Sequence, residues 1–499
     1  MKKKTKLVSA LLFCCMLLLS ACGGNGKNEE KANSSDGKAE KTTELTVAFP
    51  IFGTLPKDMM LIQDAVNEIT RKKINATVKF MPIGFSDWQQ QMNLKFSSSE
   101  KLDLMAVLGT YTSMVSRDQL LPLDQLLKEQ GQGITKALDP AYLDAAKVKG
   151  TMYAVPTLRD MATSYGIAMR KDLVDKYNID VNQINTLADV EGVLKTIKAG
   201  EPDIAPLIPG TVGASILTNY QTYDNLIDRY GVLPNYDNDL KLVNLYETEE
   251  YAEQLKMVRN WYESGLILKD ASTNKNFASA LIKSNRAFAY LLNIQPMSYS
   301  GESQSAGIPM VVRPLLRAAS TTATITNTMW AIPVTSAAPA KAMEFLNLMY
   351  TDKELVNMLD WGIEGKHYVV KSDNIIDYPP GVDAQSSGYN LNMGWLFGNE
   401  FLAYVWNGQD PKLWEKVAEF NKSALKSKAL GFSFDPTPVK SEFATVGNVI
   451  GQYYLPLETG SVDPEEILTQ FIAKLKTAGI DKVIAEKQKQ LDEWAKTNK

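Results

Sequence analysis

Few side chains in this 499-residue sequence can do covalent or metal chemistry. The cysteines are Cys14, Cys15 and Cys22, all near the start, and His367 is the single histidine. A Ser-His or Cys-His hydrolase needs a base oriented beside its nucleophile, and no Gly-x-Ser-x-Gly elbow occurs. A zinc centre needs several His or Cys ligands, which this chain lacks. Gly131-Gln-Gly133 has neither the third glycine nor the preceding strand of a dinucleotide loop. Gly365-Lys366 runs into His367 where a phosphate loop carries Ser or Thr. No metal, cofactor or catalysis is therefore expected. Two carboxylates facing each other across a cleft could hydrolyse a glycoside, but Asp and Glu are too plentiful for their presence to decide. What remains is non-covalent recognition, in which aromatic rings cover apolar faces and polar side chains bond to hydroxyl rims.

The elements that must position such groups begin with an export signal. Lys2, Lys3, Lys4 and Lys6 precede an apolar stretch from Leu7 to Leu19, short for a permanent membrane span. The stretch ends in Leu19-Ser20-Ala21-Cys22, which resembles the bacterial lipobox. In such signals the Cys thiol, a good nucleophile near neutral pH, is acylated and the chain is cut just before it. Residues 1–21 are thus expected to be a lipoprotein signal peptide and Cys22 the lipidation site. Residues 22–43 are rich in Gly, Asn, Ser, Lys and Glu, too polar to fold, and are expected to be a flexible tether. The mature body then has no thiol for a disulfide. The net charge is −4, and loss of four lysines with the signal takes it to about −8, with no basic stretch suited to nucleic acid. A body of about 455 residues is too long for one core and fits two lobes.

Along the body, strand and helix patterns alternate. Residues 44–49, 76–81 and 102–108 read as strands. Ile62, Ala65, Val66 and Ile69 give 56–73 a helical face, and 88–96 is also helical in pattern. Strands separated by helices imply a parallel sheet covered on both faces, with ligands beyond the carboxyl ends of its strands. That places residues 50–54 and 109–113 at the site. Later helices carry clear end signals. Thr248 precedes Glu249 and Glu250, Thr351 to Glu354 has capping-box spacing, and Asp463-Pro464 opens a helix that stops at Gly479.

Three stretches then resemble the family-one extracellular solute-binding proteins of bacterial ABC carbohydrate importers. They are Tyr153-Ala-Val-Pro156 with Ile167 to Leu173, Met329-Trp-Ala-Ile-Pro333 with Pro339 to Leu346, and Leu121 to Leu126. Gly362 to Tyr368 and the region from Trp395 to Trp494 resemble a subgroup with a long C-terminal extension of unassigned function. The resemblance implies an α/β, two-lobe periplasmic-binding-protein-like (type II) fold with a hinge, an interlobe cleft and a C-terminal α-rich extension. Lobe 1 would comprise 44–158 and 332–364, and lobe 2 would comprise 159–331 and 365–499. It also implies a ligand-binding set: Tyr111 after the third strand, Arg159, Asp160 and Tyr165 at the first crossing, Tyr220 and Tyr223 in the second lobe, Gln295, Trp330 at the return crossing, and Trp395. Phe397, Glu364 and His367 stand near these. The implied activity is capture of a sugar, an oligosaccharide above all, by a lipid-anchored monomer on the extracytoplasmic face of the cell membrane. Its partners would be that small-molecule ligand and the ABC permease subunits. Binding of a peptide or another solute stays open as an alternative, as does a secreted glycosidase. The extension could enlarge the second lobe, shape the cleft or dock the permease.

Overall fold

A computed structural model describes residues 41–498. The signal, Cys22 and nearly all of the expected tether lie outside these residues. The chain begins with β1 (Thr43–Ile51), α1 (Met59–Ile74), β2 (Ala76–Gly84), α2 (Trp88–Ser98), β3 (Leu104–Leu108) and α3 (Tyr111–Ser116). It continues through β4 (Val155–Pro156), β5 (Ser164–Arg170), β6 (Ala205–Ile208), α4 (Glu249–Glu263), β7 (Ala287–Ile294), β8 (Met310–Pro314) and β9 (Thr328–Ala331). After α5 (Pro339–Thr351) and α6 (Lys353–Asp360), the last helices are α7 (Lys440–Glu458), α8 (Pro464–Ala478) and α9 (Ile480–Asn498). Among the described residues no helix is long and apolar enough to cross a membrane.

Two sheets organise two lobes. The first has the order β2-β1-β3-β9-β4, and the second β8-β5-β7-β6. In the first, β1 runs parallel to β2 and β3, as the strand–helix alternation requires. The purely parallel sheet expected from sequence is not found, because β9 and β4 are antiparallel to their neighbours. Both belong to chain that leaves for, or returns from, the second lobe, so no βαβ crossover dictates their direction. Leu45, Val47, Phe49, Leu104, Ala106 and Val107 are buried in the first core. In the second sheet Ile167 and Met169 pack on one face and Ala168 on the other, giving cores on both sides.

The lobe boundaries differ from the sequence expectation at two places. Trp330 pairs with Ala106 inside the first sheet, so the return is complete before residue 332. Residues Tyr389, Met393, Leu396 and Phe397, expected in the second lobe, are buried in the first core. The apolar run of this segment packs under α5 and α6, and the chain crosses again only afterwards. Phe471, Leu475, Val483 and Leu491 of the extension belong to the second core, so the extension enlarges that lobe.

Local signals mostly act as read. The Thr248 side chain accepts from Tyr251 N–H at 3.3 Å, Asp463 accepts from Glu465 N–H at 2.9 Å, and Gly479 closes α8 at φ 94°. The capping box expected at Thr351 is replaced by Asp352, whose carboxylate accepts from Leu355 N–H at 3.0 Å.

Three segments cross between the lobes. Residues 157–163 join β4 to β5, and 315–327 join β8 to β9. They are tied by a reciprocal pair, Thr163 N–H to Ala319 O at 3.0 Å and Ala319 N–H to Thr163 O at 2.9 Å. The third crosses between 398 and 428. Its buried Asn421 accepts from Met161 N–H and donates to Arg159 O, both at 2.7 Å.

Candidate functional site

β1 and β2 end side by side, with Ile51 opposite Gly84. The next residue of each chain is a phenylalanine that has left the core. Phe52 is 55% exposed and Phe85 50% exposed. Their rings stack with centroids 4.7 Å apart and planes at 26°. Half-buried Trp395 extends the surface, its ring 6.2 Å from Phe52. Three neighbouring rings displayed to water at the carboxyl ends of strands form a surface that gains free energy when an apolar ligand face covers it.

Hydrogen bonds tie the chain segments that follow β1 and β2. Phe85 N–H donates to Ile51 O at 2.9 Å, and Asp58 N–H donates to Gly388 O at 3.1 Å. The Asp58 carboxylate accepts from His367 Nε2 and Lys366 Nζ, each at 3.1 Å. Ile363 N–H donates to His367 Nδ1 at 2.9 Å, which assigns the ring proton to Nε2. The hydrogen bond from His367, aided by Lys366, holds the Asp58 carboxyl below its usual range, while burial lowers His367. Behind Trp395, the buried carboxyls of Asp360 and Glu400 converge on Gly394, where a side chain would meet Asp360 Oδ2 at 2.8 Å and Glu400 Oε1 at 3.2 Å. Burial pushes Asp360 up to about 7 and raises Glu400 strongly, so both favour the protonated form.

At the first crossing Arg159 pairs with Asp160 at 3.0 Å. It also donates to Asp160 O at 2.8 Å and to Thr324 O at 3.2 Å, linking two crossings. In the second lobe, half-buried Tyr165 and Tyr223 gather around Arg229 and Asp224. Burial pushes the Tyr223 hydroxyl up to about 12 against the opposing pull of Arg229, and raises Tyr165 as well. Tyr220 is half-buried against the second core. Gln295 follows β7 and is half-buried, its N–H bonded to Ser298 Oγ at 3.1 Å.

Several residues chosen from sequence are placed elsewhere. Trp330 is fully buried, and its indole N–H donates to Leu396 O at 2.6 Å. Its position in a central strand, between β3 and β4, leaves it no path to a ligand. Tyr111 is 5% exposed, with its hydroxyl donating to Ala146 O at 2.7 Å and accepting from Tyr153 N–H at 3.2 Å. It anchors the loop after β3 instead of facing outward. Phe397 is buried against Phe49 and Trp330. His367 is a brace, and exposed Glu364 sits in the turn that carries it. Phe52 and Phe85 are not among the residues expected from sequence, although Phe52 lies within the expected 50–54 segment. Their signal was a large apolar residue just past the end of a strand, followed by Gly53 or Ser86 and no continuing period. Among the described residues no group of three His, Cys, Asp or Glu is arranged to hold a metal.

Comparison with known proteins gives this geometry a context. Residues 56–355 match the family described as bacterial extracellular solute-binding protein. Residues 428–496 match a domain of unknown function (DUF3502). A carbohydrate ABC transporter substrate-binding protein of Streptococcus pneumoniae is 30% identical over all of this chain and 99% of its own. The crystal structure of an N-glycan transport solute-binding protein from the same species superposes with a TM-score of 0.83 at 29% identity, covering 92% of this chain and all of the other. That protein in complex with Man5GlcNAc superposes with a TM-score of 0.71 at 28% identity, covering 92% of this chain and 99% of the other.

Proposed function

Because the chain belongs to the bacterial extracellular solute-binding proteins, we propose that it captures an oligosaccharide between its lobes and delivers it to an ABC importer. The observation that carries this reading is the exposed Phe52–Phe85 stack beside Trp395. A pyranose ring has C–H groups on its faces and hydroxyls on its rim. Stacked rings take the faces, and an adjoining lobe with tyrosines, Gln295 and Asp160 supplies the rim bonds. Closure about the three crossings would shed water from both surfaces and bury the ligand.

The same reading includes attachment to the cell membrane through a lipid on Cys22, on the extracytoplasmic face. Acyl chains contribute about 0.8 kcal/mol per buried CH₂, so two of them retain a soluble body at a membrane. The tether residues 22–43 would let it reach a permease. Cys22→Ser is expected to release the protein or leave it unprocessed, and retention without a lipid label would refute the anchor.

The test of capture is calorimetric titration of residues 43–499 with Man5GlcNAc, shorter manno-oligosaccharides and unrelated short peptides. Saturable one-to-one binding of a glycan, with neither cleavage of it nor binding of the peptides, is expected. Peptide binding alone, or release of reducing sugar, would overturn the reading.

A further inference from the structure

The matched domain of unknown function, 428–496, contributes two buried ion pairs to one loop of the second lobe. Glu458, at the end of α7, is fully buried and pairs with Arg229 at 2.7 Å. It also accepts from Ser215 Oγ at 2.5 Å and from Tyr251 Oη at 3.1 Å. Lys487, in the middle of α9 and equally buried, pairs with Asp228 at 2.5 Å and reaches Gly231 O at 3.5 Å. Adjacent residues, Asp228 and Arg229, are thus held by two different helices of that domain. A third hold comes from Gln488, which accepts from Leu242 N–H at 2.8 Å and donates to Leu240 O at 3.0 Å. Lys428 N–H donates to Tyr236 O at 2.8 Å.

The loop so held is unusual in its backbone. Of the fifteen described non-glycine residues with positive φ, eight lie between Leu226 and Leu240. They include Leu226 at 49°, Ile227 at 81° and Leu240 at 59°, side chains for which this conformation costs free energy. Such a conformation persists only where the surroundings over-determine it. The loop starts at Tyr223 and contains Tyr236, both close to Tyr165 beside the first crossing.

We propose that the C-terminal domain is a clamp that fixes the 223–240 loop through Arg229–Glu458, Asp228–Lys487 and Gln488, and so positions Tyr223 and Tyr236 for the bound oligosaccharide. This rests on the reading that the second lobe faces a glycan. Arg229 is the link, since one guanidinium faces both Glu458 and the Tyr223 hydroxyl. Glu458, Lys487 and Gln488 are positioning residues with no ligand contact of their own.

The test is a double-mutant cycle on the mature chain, titrated with Man5GlcNAc. Glu458→Gln is expected to weaken binding about tenfold in the native background and less than about twofold when Tyr223 is already changed by Tyr223→Ala. Gln488→Ala, a half-buried site that leaves both ion pairs intact, is expected to repeat the pattern at about threefold, so the proposal stays open to test if Glu458→Gln fails to fold. Equal losses in both backgrounds, or no loss in either, would overturn the clamp while leaving sugar capture in place. No binding of any glycan by the unaltered chain would remove both readings.

Discussion

The two lobes prepare for a ligand in opposite ways. In the first, regular strands end abruptly and the next residues, Phe52 and Phe85, stand in water, while Asp58, just before α1, is tied to His367. In the second, the aromatic residues are tyrosines: Tyr223 lies beside Arg229, and Tyr236 donates its hydroxyl to Gln221 O at 3.0 Å, on a loop with a left-handed backbone held from outside. The first lobe resembles a preformed apolar plate, whose shape is set by the sheet. The second is a polar wall whose shape is set by distant ion pairs. A plate of rings tolerates many sugars, because every pyranose has C–H faces. Discrimination between glycans is then expected to come from the wall, where an unmatched buried hydroxyl is costly.

The comparison can be broken at its strongest point by exchanging buried and displayed rings. Trp330→Ala is expected to cost about 3–5 kcal/mol in stability, read by denaturant unfolding, with unchanged glycan affinity in the folded protein. The pH dependence of the first lobe comes next. Burial raises Asp360 to about 7, so the folded chain keeps a proton that the unfolded chain has released. Its contribution is fully present below the unfolded pKa near 4 and is lost as pH rises toward 7. Asp360→Asn should remove a decline on the order of 2–3 kcal/mol between pH 5 and 8, and an unaltered slope would show that another group sets it. Trp395→Ala is expected to weaken glycan binding by about 1–2 kcal/mol with little change in melting temperature, the reverse of Trp330. Arg159→Ala should shift affinity by less than about threefold, because its guanidinium is engaged by Asp160 and Thr324 O within the protein. A larger loss would move the site toward the crossing and away from the plate.

Much of the fold could be read from the sequence where periodicity is strong. β1, β2, α1 and α2 appear within a few residues of their expected bounds, and Thr248, Asp463 and Gly479 act as helix ends because capping is local chemistry. The mixed sheet could not be read, since β9 enters after an excursion through another lobe and local pattern carries no record of direction. Trp330 is buried within that sheet for the same reason. Its neighbours in sequence mark a crossing, but four residues of strand carry it into the centre of a sheet. Phe52 and Phe85 carry no local mark of display, because exposure is a tertiary property and an isolated Phe after a strand reads as core. The clamp on Arg229 was invisible, for its partners lie more than two hundred residues away in sequence.

The central claim is that the displayed phenylalanine pair receives the sugar. Calorimetric titration of Man5GlcNAc into the mature chain and into its Phe52→Ala/Phe85→Ala variant tests it directly. The account predicts one-to-one binding by the first and about a hundredfold weaker binding by the second, with melting temperatures within a few degrees of each other. Equal affinities would contradict it.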